Sequence, residues 1–372
     1  IWEHPEIGHK EFRTSKLLGD SLKRHGFLVE RGVAEMPTAF MAHKGSGSPN
    51  ICFTAEYDAL PGLGHACGHN LFCCSAIAGA AAFADWISSR NFSGTATVIG
   101  SPAEEGGAVD GGGCKVVLVE KGFFRDVDIA MISHADGSTV VERRLNAGVT
   151  IEVTFNGKPA HAGGSPERGI NALTAGMLFI NNINSCRQQF KALERVNPVI
   201  CSSSSTANTI PDLCVIRVNL RAYDQSDLDE LIAKVDNCIK AATLVSGCKE
   251  EHHHVSYPTS DLVPNHSLAQ VWRSSLEELG VKNIVDSDRA GFCWDMGNVS
   301  HYCPTIAPYM TIGPKDLVGH TPEFRECANS KIAHTSMLNA AKAMAMTAAT
   351  YASDLELRRS VRKEFQSNNV SV

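Results

Sequence analysis

Short apolar segments in the first part of the chain alternate with longer helical patterns. Strands are predicted at residues 50–55, 95–101 and 127–133, and helices at residues 74–86 and 115–121. This βαβ order is typical of an α/β layer domain whose functional residues lie on loops at the strand ends. The pattern returns after Pro258, with helices predicted at residues 267–279 and 327–351 and a strand near residues 305–312. The polar, basic tail after Asp354 is predicted to fray.

The middle of the chain has a different order of elements. The predicted elements are a half-exposed strand at residues 149–155, a helix at 170–188, strands at 198–204 and 213–220, a helix at 226–242 capped by Ser226, and a strand at 252–257. This βαββαβ order is the split-βαβ pattern of a small ferredoxin-like domain. We therefore expect a mixed-sheet α/β protein in which residues 1–146 and 258–372 form one domain. A ferredoxin-like α/β sandwich at residues 147–257 is expected to be inserted into it.

Composition narrows the class of protein. Of the 372 residues, 43% are hydrophobic and 20% are charged, which is ordinary for a globular protein. The net charge of −6 gives no electrostatic footprint for nucleic acid, and no apolar run reaches the length that spans a bilayer. We therefore expect neither nucleic acid nor a membrane as partner. The thirteen cysteines include no CxxC pair, which favours reduced thiols and a cytoplasmic location.

The segment His65-Ala66-Cys67-Gly68-His69-Asn70 comes directly before the alanine-rich helix. A thiolate and an imidazole two residues apart can face one point if the glycine between them permits a tight turn. Both are ligands that zinc and similar divalent ions accept. The alternative is a buried cysteine beside a histidine that caps the helix, and the segment alone leaves both interpretations open.

Carboxylates and histidines occupy similar positions after the other predicted strands. Glu104 and Glu105 form an adjacent pair, in which one carboxylate can bind a metal while the other accepts a proton from water. A solvated loop would also explain this pair taken alone. His134 and Asp58 each follow another predicted strand, and His320 lies in a distant loop. Together these positions predict convergence on a metal site at one edge of a sheet.

Two histidine features lie in the predicted inserted domain. His161 is in a glycine-rich loop that leaves a strand, where it can reach a ligand across a cleft or simply face solvent. The run His252-His253-His254 could be interpreted as a metal site, but consecutive residues of a strand point to opposite faces. We interpret this run as a polar strand without a metal.

A series of motifs, in this order and over nearly the whole chain, matches one group of enzymes. The motifs are His4-Pro5-Glu6-Ile7-Gly8, Asp58-Ala59-Leu60-Pro61, His65-Ala66-Cys67-Gly68-His69, Pro102-Ala103-Glu104-Glu105, Gly157-Lys158-Pro159-Ala160-His161-Ala162, Asn208-Thr209-Ile210-Pro211, Arg221-Ala222 and the late His320. The chain thus resembles the aminoacylase and carboxypeptidase G superfamily of metallopeptidases, in its amidohydrolase branch. Asn70 makes it most similar to the Xaa-Arg dipeptidase group, which includes β-alanyl-lysine dipeptidases.

The resemblance implies a role for each matching residue. The implied ligands of one or two divalent metal ions, zinc or manganese, are Cys67, His69, Glu105, His134 and His320. The implied catalytic residues are Glu104 as general base, Asp58 as the carboxylate that orients the centre, and His161 as the group that polarises the scissile carbonyl. Asn208 and Arg221 are implied to bind the carboxylate end of the substrate.

The function that the resemblance implies is hydrolysis of the amide bond of a small dipeptide, of β-alanyl-lysine or Xaa-Arg type. The enzyme is expected to be a homodimer whose inserted domain acts as lid and dimerisation domain. One alternative substrate is an N-acyl amino acid or aminobenzoyl-glutamate. A catalytically silent regulatory or binding protein on the same fold is the other alternative, although neither Glu104 nor any implied ligand is missing. Glu56 departs from the pattern, because many members of the superfamily have a histidine ligand there.

Overall fold

The computed structural model describes residues 1–105, 113–204, 206–286 and 288–369. The α-helices in these ranges are α1 Phe12–Arg24, α2 His69–Arg90, α3 Cys114–Glu120, α4 Ala172–Cys186, α5 Gln225–Ser246, α6 His266–Glu278, α7 Met296–Tyr302, α8 Pro322–Cys327, α9 Lys331–Ser353 and α10 Leu355–Asn369. The strands are β1 Leu28–Arg31, β2 Phe40–Ser46, β3 Asn50–Glu56, β4 Gly94–Ser101, β5 Ile129–Met131, β6 His134–Asp136, β7 Thr139–Val140, β8 Arg143–Arg144, β9 Ala147–Asn156, β10 Arg195–Ser203, β11 Leu213–Ala222, β12 Lys249–His254, β13 Ile284–Val285, β14 Asp288–Arg289, β15 Thr305–Ile306 and β16 Tyr309–Thr311. Short 3-10 helices lie at Val33–Glu35, Pro166–Arg168 and Arg187–Gln189.

The chain divides into two compact units. Unit 1 consists of Ile1–Leu145, Leu262–Ala290 and Trp294–Val372, and unit 2 consists of Asn146–Asp261 with Gly291–Cys293. Each unit has its own apolar core. The mixed α/β class predicted from the sequence is confirmed. The catalytic and dimerisation roles that the sequence assigns to the two parts stay predictions.

A six-stranded sheet in the order β1-β2-β4-β3-β5-β15 organises unit 1. β3 is parallel to β4 and β5, and β15 is parallel to β5, while β1 and β2 add an antiparallel edge. The central strands are buried on both faces, as parallel strands covered by helices are. Because β3, β4 and β5 run in the same direction, the segments that follow them lie at one edge of the sheet.

The helix α2 packs against this sheet and against α9. It begins at His69, inside the histidine and cysteine motif, and is therefore longer than the predicted 74–86. By length and hydropathy this helix could cross a bilayer. However, 67% of its most apolar stretch is buried inside the protein, as in a core helix. Gly79 permits the close approach of the two helices, because a Cβ there would lie 2.9 Å from the Cβ of Met344.

Unit 2 is a four-stranded antiparallel sheet in the order β10-β11-β9-β12, with the helices α4 and α5 packed on it. With the chain order βαββαβ, this is the ferredoxin-like arrangement predicted from the sequence, and that prediction is confirmed. Two details were wrong. The cap of α5 is Asp224, whose side chain accepts a hydrogen bond from Asp227 N, whereas Ser226 lies inside the first turn. The last strand is Lys249–His254 rather than residues 252–257.

The C-terminal part departs further from the sequence pattern. The single strand predicted at residues 305–312 is two strands, β15 and β16, in different sheets, separated by a segment that contains Pro308. The tail predicted to fray is the helix α10. Val361 is fully buried, and the Glu364 carboxylate accepts hydrogen bonds from the first amides of α6. These few contacts hold a helix whose average composition is polar.

Candidate metal centre and active site

Cys67 and His69 lie on either side of a sharp turn at the start of α2. Gly68 between them has φ +91°, and a Cβ there would approach the Cβ of Ala135 to 2.8 Å, so this position favours glycine on both counts. The turn brings both side chains to one space, where ligand atoms of Cys67, His69 and Glu105 all lie within 4.8 Å of one another. The two residues therefore converge as a pair of metal ligands must.

Asp58 fixes the imidazole of His69. The ring nitrogen Nδ1 lies 3.0 Å from the Asp58 carbonyl oxygen and 3.1 Å from its Oδ1. Both oxygens are acceptors, so this nitrogen carries a hydrogen and donates a hydrogen bond to Asp58. The other ring nitrogen, Nε2, is buried and has no hydrogen-bond partner among the residues that the structure describes. It faces a carboxylate oxygen of Glu56 at 3.5 Å, of Glu104 at 3.5 Å and of Glu105 at 3.7 Å. A carboxylate that orients an imidazole in this way is typical of metal-binding histidines.

The concentration of acidic groups around this nitrogen favours a bound cation. Burial and the neighbouring Glu105 raise the pKa of Glu104 well above its usual value. Burial lowers the pKa of His69, but the adjacent Cys67 and Asp58 outweigh it and raise that pKa well above its usual range. Within the described part of the chain, Oε1 of Glu105 is also buried without a hydrogen-bond partner. A divalent cation would compensate these charges and satisfy the buried atoms, so the donor set fits a metal.

His134 presents its Nε2 to the same space. Its Nδ1 lies 2.6 Å from the carbonyl oxygen of Ala135 and donates to it, and its Nε2 lies 3.5 Å from Sγ of Cys67. Burial lowers the pKa of His134 to about 3, so the ring is neutral and Nε2 keeps a lone pair. Three aromatic rings enclose the imidazole at centroid distances of 4.4–5.0 Å: Phe72, Trp294 and Tyr309. This enclosure fixes the orientation of a ring that can bind a metal.

Glu105 links the motif after β4 to the distant loop that carries His320. Its backbone N donates to Oδ2 of Asp58 at 3.0 Å, and its Oε2 lies 3.3 Å from Nε2 of His320. The backbone N of His320 donates to the carbonyl oxygen of Ala66, which ties this loop to the start of α2. All five predicted ligands are therefore connected through short distances. The two glycines that follow the acidic pair in the sequence, at positions 106 and 107, lie outside the described residues.

A buried lysine beside the centre was not found from the sequence. Lys115 on α3 is fully buried, and its Nζ lies 2.6 Å from Oε1 of Glu56 and in a very short contact with Asp295. The indole N–H of Trp294 donates to the same Glu56 oxygen at 2.8 Å. Burial lowers the pKa of Lys115, but the charges of Asp295 and Glu56 have the larger effect and raise this pKa above its usual value. The lysine is therefore a permanent internal cation. Its only sequence signal is a lysine in an otherwise apolar short helix.

The remaining predicted site residues lie in unit 2. His161 is exposed, and its Nδ1 accepts hydrogen bonds from the backbone N of Gly163 and of Gly164, at 3.1 Å and 3.0 Å. This arrangement places the ring proton on Nε2. The carbonyl oxygen of Asn208 accepts from Ala162 N at 2.9 Å, so the loops of His161 and Asn208 lie together.

Arg221 is on β11 of the same unit. Its Nε donates to Oδ1 of Asn219 at 3.0 Å, and one terminal nitrogen donates to the carbonyl oxygen of Gly291 at 3.2 Å. The histidine run lies on β12, where His252 contacts carboxylates of Glu250 and Asp236. An exposed histidine that contacts neighbouring carboxylates in this way is typical of a polar surface strand.

Comparisons with known proteins relate parts of this chain, and in some cases nearly all of it, to peptidases and amidohydrolases. Residues 141–247 match the model of a peptidase dimerisation domain. A human Xaa-Arg dipeptidase is 32% identical, over 98% of this chain and 87% of its own length. One of the p-aminobenzoyl-glutamate hydrolase subunits of Escherichia coli is 30% identical, over 75% of this chain and 61% of that protein. A solved Bacillus subtilis protein, described as a dinuclear metal-binding peptidase of the M20 family, has the same fold, with a TM-score of 0.68 and 18% identity over 94% of this chain and 95% of that one.

Proposed function

Because the chain belongs to the M20 family of metallopeptidases, we propose that it is a metal-dependent dipeptidase acting on dipeptides of β-alanyl-lysine or Xaa-Arg type. Its family membership confirms the resemblance found in the sequence and makes the chain a hydrolase of peptide or related amide bonds. The observation that carries the proposal is the convergence of Cys67, His69 and Glu105 beside Glu104. Metal-assisted hydrolysis needs this combination of ligands and base.

The metal centre that we propose has the ligands Cys67, His69, Glu105, His134 and His320. The unpartnered buried Nε2 of His69 and the anionic surroundings support one or two divalent ions. A thiolate among the ligands favours zinc, and manganese is the alternative for a mixed thiolate, imidazole and carboxylate set. A bound ion supplies Lewis acidity to a carbonyl oxygen and to a water molecule.

Glu104 is the base in this proposal. Its side chain is 15% exposed, whereas that of the neighbouring Glu105 is 6% exposed, so Glu104 is the member of the pair more open to water and substrate. Its carboxylate accepts a proton from the attacking water and passes the proton to the amine that leaves. Asp58 keeps the adjacent ligand His69 in one orientation during both transfers.

The roles that we propose for unit 2 concern the substrate. The exposed His161 carries its proton on Nε2, and this N–H can donate a hydrogen bond to the carbonyl oxygen as negative charge develops there. Arg221 and Asn208 supply a cation and an amide suited to a carboxylate end of the substrate. We also propose a homodimer formed through unit 2, which the match to a dimerisation domain supports.

A substrate panel with metal analysis tests the proposal. Purified protein is assayed with β-alanyl-lysine, a set of Xaa-Arg dipeptides, an N-acyl amino acid and aminobenzoyl-glutamate, while its metal content is measured by mass spectrometry. We expect bound divalent metal, the highest kcat/KM on one of the dipeptides, and loss of activity on chelation that zinc or manganese restores. Highest kcat/KM on aminobenzoyl-glutamate would replace the substrate, as similarity to the bacterial hydrolase also allows. No hydrolysis by metal-loaded protein would contradict the proposed function.

A further inference from the structure

Glu11 is a fully buried acid that the chemistry above does not use. It is the N-cap residue of α1, yet its side chain makes no capping hydrogen bond to that helix. Glu6 does so instead, because its two carboxylate oxygens accept from the backbone N of Arg13 at 3.0 Å and of Thr14 at 2.8 Å. The carboxylate of Glu11 is therefore available for another role than capping α1.

The Glu11 carboxylate binds the backbone N of Ala103, the residue directly before the proposed base. Its Oε1 accepts hydrogen bonds from Ala103 N at 2.9 Å and from His9 N at 3.0 Å, and its Oε2 accepts one from the Thr38 hydroxyl at 2.8 Å. Ala103 is buried and has φ +50°, and His9 has φ +61°. Both residues that donate to Oε1 are thus in the left-handed region, which is unfavourable for residues other than glycine.

The other side of the acidic pair has a carboxylate partner of its own, since Asp58 accepts from Glu105 N. Glu104 thus lies between Ala103 and Glu105, and the backbone N of each of these neighbours donates to a buried carboxylate, of Glu11 and of Asp58 respectively. The Asp58 contact fixes the residue after Glu104, and the Glu11 contact fixes the residue before it. The carbonyl oxygen of Ala103 accepts from Gly113 N at 3.0 Å. Glu11 therefore holds the amide side of Ala103, while the backbone of Gly113 holds its carbonyl side.

We propose that Glu11 is a positioning residue that holds the Ala103 peptide in its left-handed conformation and thereby directs Glu104 into the active site. This inference rests on the proposed role of Glu104 as base. The Glu11 carboxylate contacts the Ala103 and His9 amides and the Thr38 hydroxyl, and it is none of the proposed ligands, so we infer that it acts through the loop. Its loss should lower kcat and leave metal content unchanged, because the ligand Glu105 keeps its own contact with Asp58.

Three substitutions of Glu11 separate positioning from packing. Glu11→Met fills the space without an acceptor, and Glu11→Asp keeps a carboxylate but withdraws it by one methylene. Glu11→Gln keeps Oε1 for the two amides, while its NH2 group can donate to the Thr38 hydroxyl. Thr38→Val is the matched control, because it removes the third contact of Glu11 and leaves both backbone contacts intact.

We expect Glu11→Met and Glu11→Asp to lower kcat by about 10- to 100-fold with little change in KM, the size expected from displacing a catalytic group by about 1 Å. Glu11→Gln and Thr38→Val should stay within about threefold of the wild type, since both keep an acceptor for Ala103 N. If Glu11→Met does not fold, the pair Glu11→Asp and Glu11→Gln gives the same comparison. Equal kcat in all variants would overturn the inference, and so would a loss of activity in Glu11→Gln as large as in Glu11→Asp.

Hydrogen exchange of the metal-free protein gives a readout independent of activity. The peptide that carries Ala103 and Glu104 should exchange slowly in the wild type and in Glu11→Gln, and faster in Glu11→Asp, with unchanged exchange in β4. Unaltered exchange in Glu11→Asp would contradict the inference even if the enzyme proved inactive on every substrate tested. Conversely, Glu104→Gln without loss of turnover would remove the proposed base, whereas the exchange result would still report whether Glu11 holds the loop.

Discussion

The two compact units place the same kinds of polar side chain in opposite settings. In unit 1, the side chains of His69 and Glu105 are almost fully buried, each has an atom without a hydrogen-bond partner among the described residues, and each lies against other acids. In unit 2, His161 is exposed and Arg221 is half-buried, and backbone or side-chain groups of the same unit satisfy them. A buried polar group without a partner costs about 1–3 kcal/mol, so the arrangement of His69 and Glu105 is unfavourable for folding, whereas that of His161 and Arg221 is not.

This difference indicates where the chemistry is concentrated. Folding alone would favour removal of unpartnered groups from the core, so a cluster of them beside five possible metal ligands points to a site that gains its stability from a bound cation. Unit 2 has the regular ferredoxin-like sheet and exposed polar loops, which suit assembly and substrate contact. Substitutions in each unit test whether the two units differ in this way.

The largest expected effect concerns the base of unit 1. Glu104→Gln is nearly isosteric and cannot accept the proton of water, so kcat should fall by about 10²- to 10⁴-fold while metal content is retained. Glu194→Gln, at a buried carboxylate of unit 2, is the control and should leave kcat unchanged. Steady-state kinetics with metal analysis measures both. Near-full turnover of Glu104→Gln would return the acidic pair to the alternative of a solvated loop.

The sequence predicts this site as far as its residues lie in local patterns. Cys67, Glu104 and His134 each follow a predicted strand or start a helix, so the rule that parallel strands end at one edge brings them together without a structure. His320 is isolated in its loop, so its place in the predicted convergence has the weakest local support, and the resemblance to a family identifies it as a ligand. The order of elements in unit 2 was predictable for the same reason, because strand and helix periodicities are read within ten to twenty residues.

What the sequence could not supply are partners that depend on packing. Lys115 looks like a lysine in a short helix, and only the tertiary structure shows it buried between Glu56 and Asp295. Glu6 and Glu11 are both glutamates before α1, so residue type alone does not show which of them binds the first amides of this helix. The helix α10 was missed because a few anchors, such as Val361, outweigh a polar composition. Each failure is a long-range contact that local propensity does not encode.

The next largest effect should come from the internal cation of unit 1. Lys115→Met leaves two buried carboxylates without a cation, and we expect the free energy of unfolding of the metal-free protein to fall by about 3–5 kcal/mol. Lys121→Met is the matched control, because Lys121 pairs with the exposed Glu35 at the surface and should contribute less than about 1 kcal/mol. Urea titrations compare the variants. Equal losses for both would show that the buried cluster does not depend on Lys115.

A smaller effect is expected for the histidine of unit 2. His161→Ala should lower kcat by about 10²- to 10³-fold without loss of metal, because in our proposal this histidine donates a hydrogen bond that forms in the transition state. His253→Ala, at an exposed histidine of β12, is the control. Mixing His161→Ala with Glu104→Gln after subunit exchange should regain activity if the histidine acts on a partner subunit, and should stay inactive if it acts within its own chain. Full activity of His161→Ala alone would make the histidine a surface residue.

The smallest effect concerns Glu11 and the pH dependence of stability. Burial, with a smaller contribution from the charge of Asp58, raises the pKa of Glu11 from 4.5 to about 7. Between these two values the folded chain binds more protons than the unfolded chain, so its stability falls as pH rises through this window. The loss should reach about 3 kcal/mol above pH 7, and it should be absent from Glu11→Gln, which does not titrate.

Urea titrations of metal-free wild type and Glu11→Gln from pH 5 to pH 8 should therefore diverge, with the variant gaining relative stability as pH rises. Glu35→Gln is the control, because a hydrogen bond from Lys121 lowers the pKa of Glu35, which keeps this side chain ionised throughout the range. If the difference between wild type and Glu11→Gln were flat from pH 5 to pH 8, Glu11 would titrate near its usual value, and the cost of burying its charge would have to be met by its three hydrogen bonds.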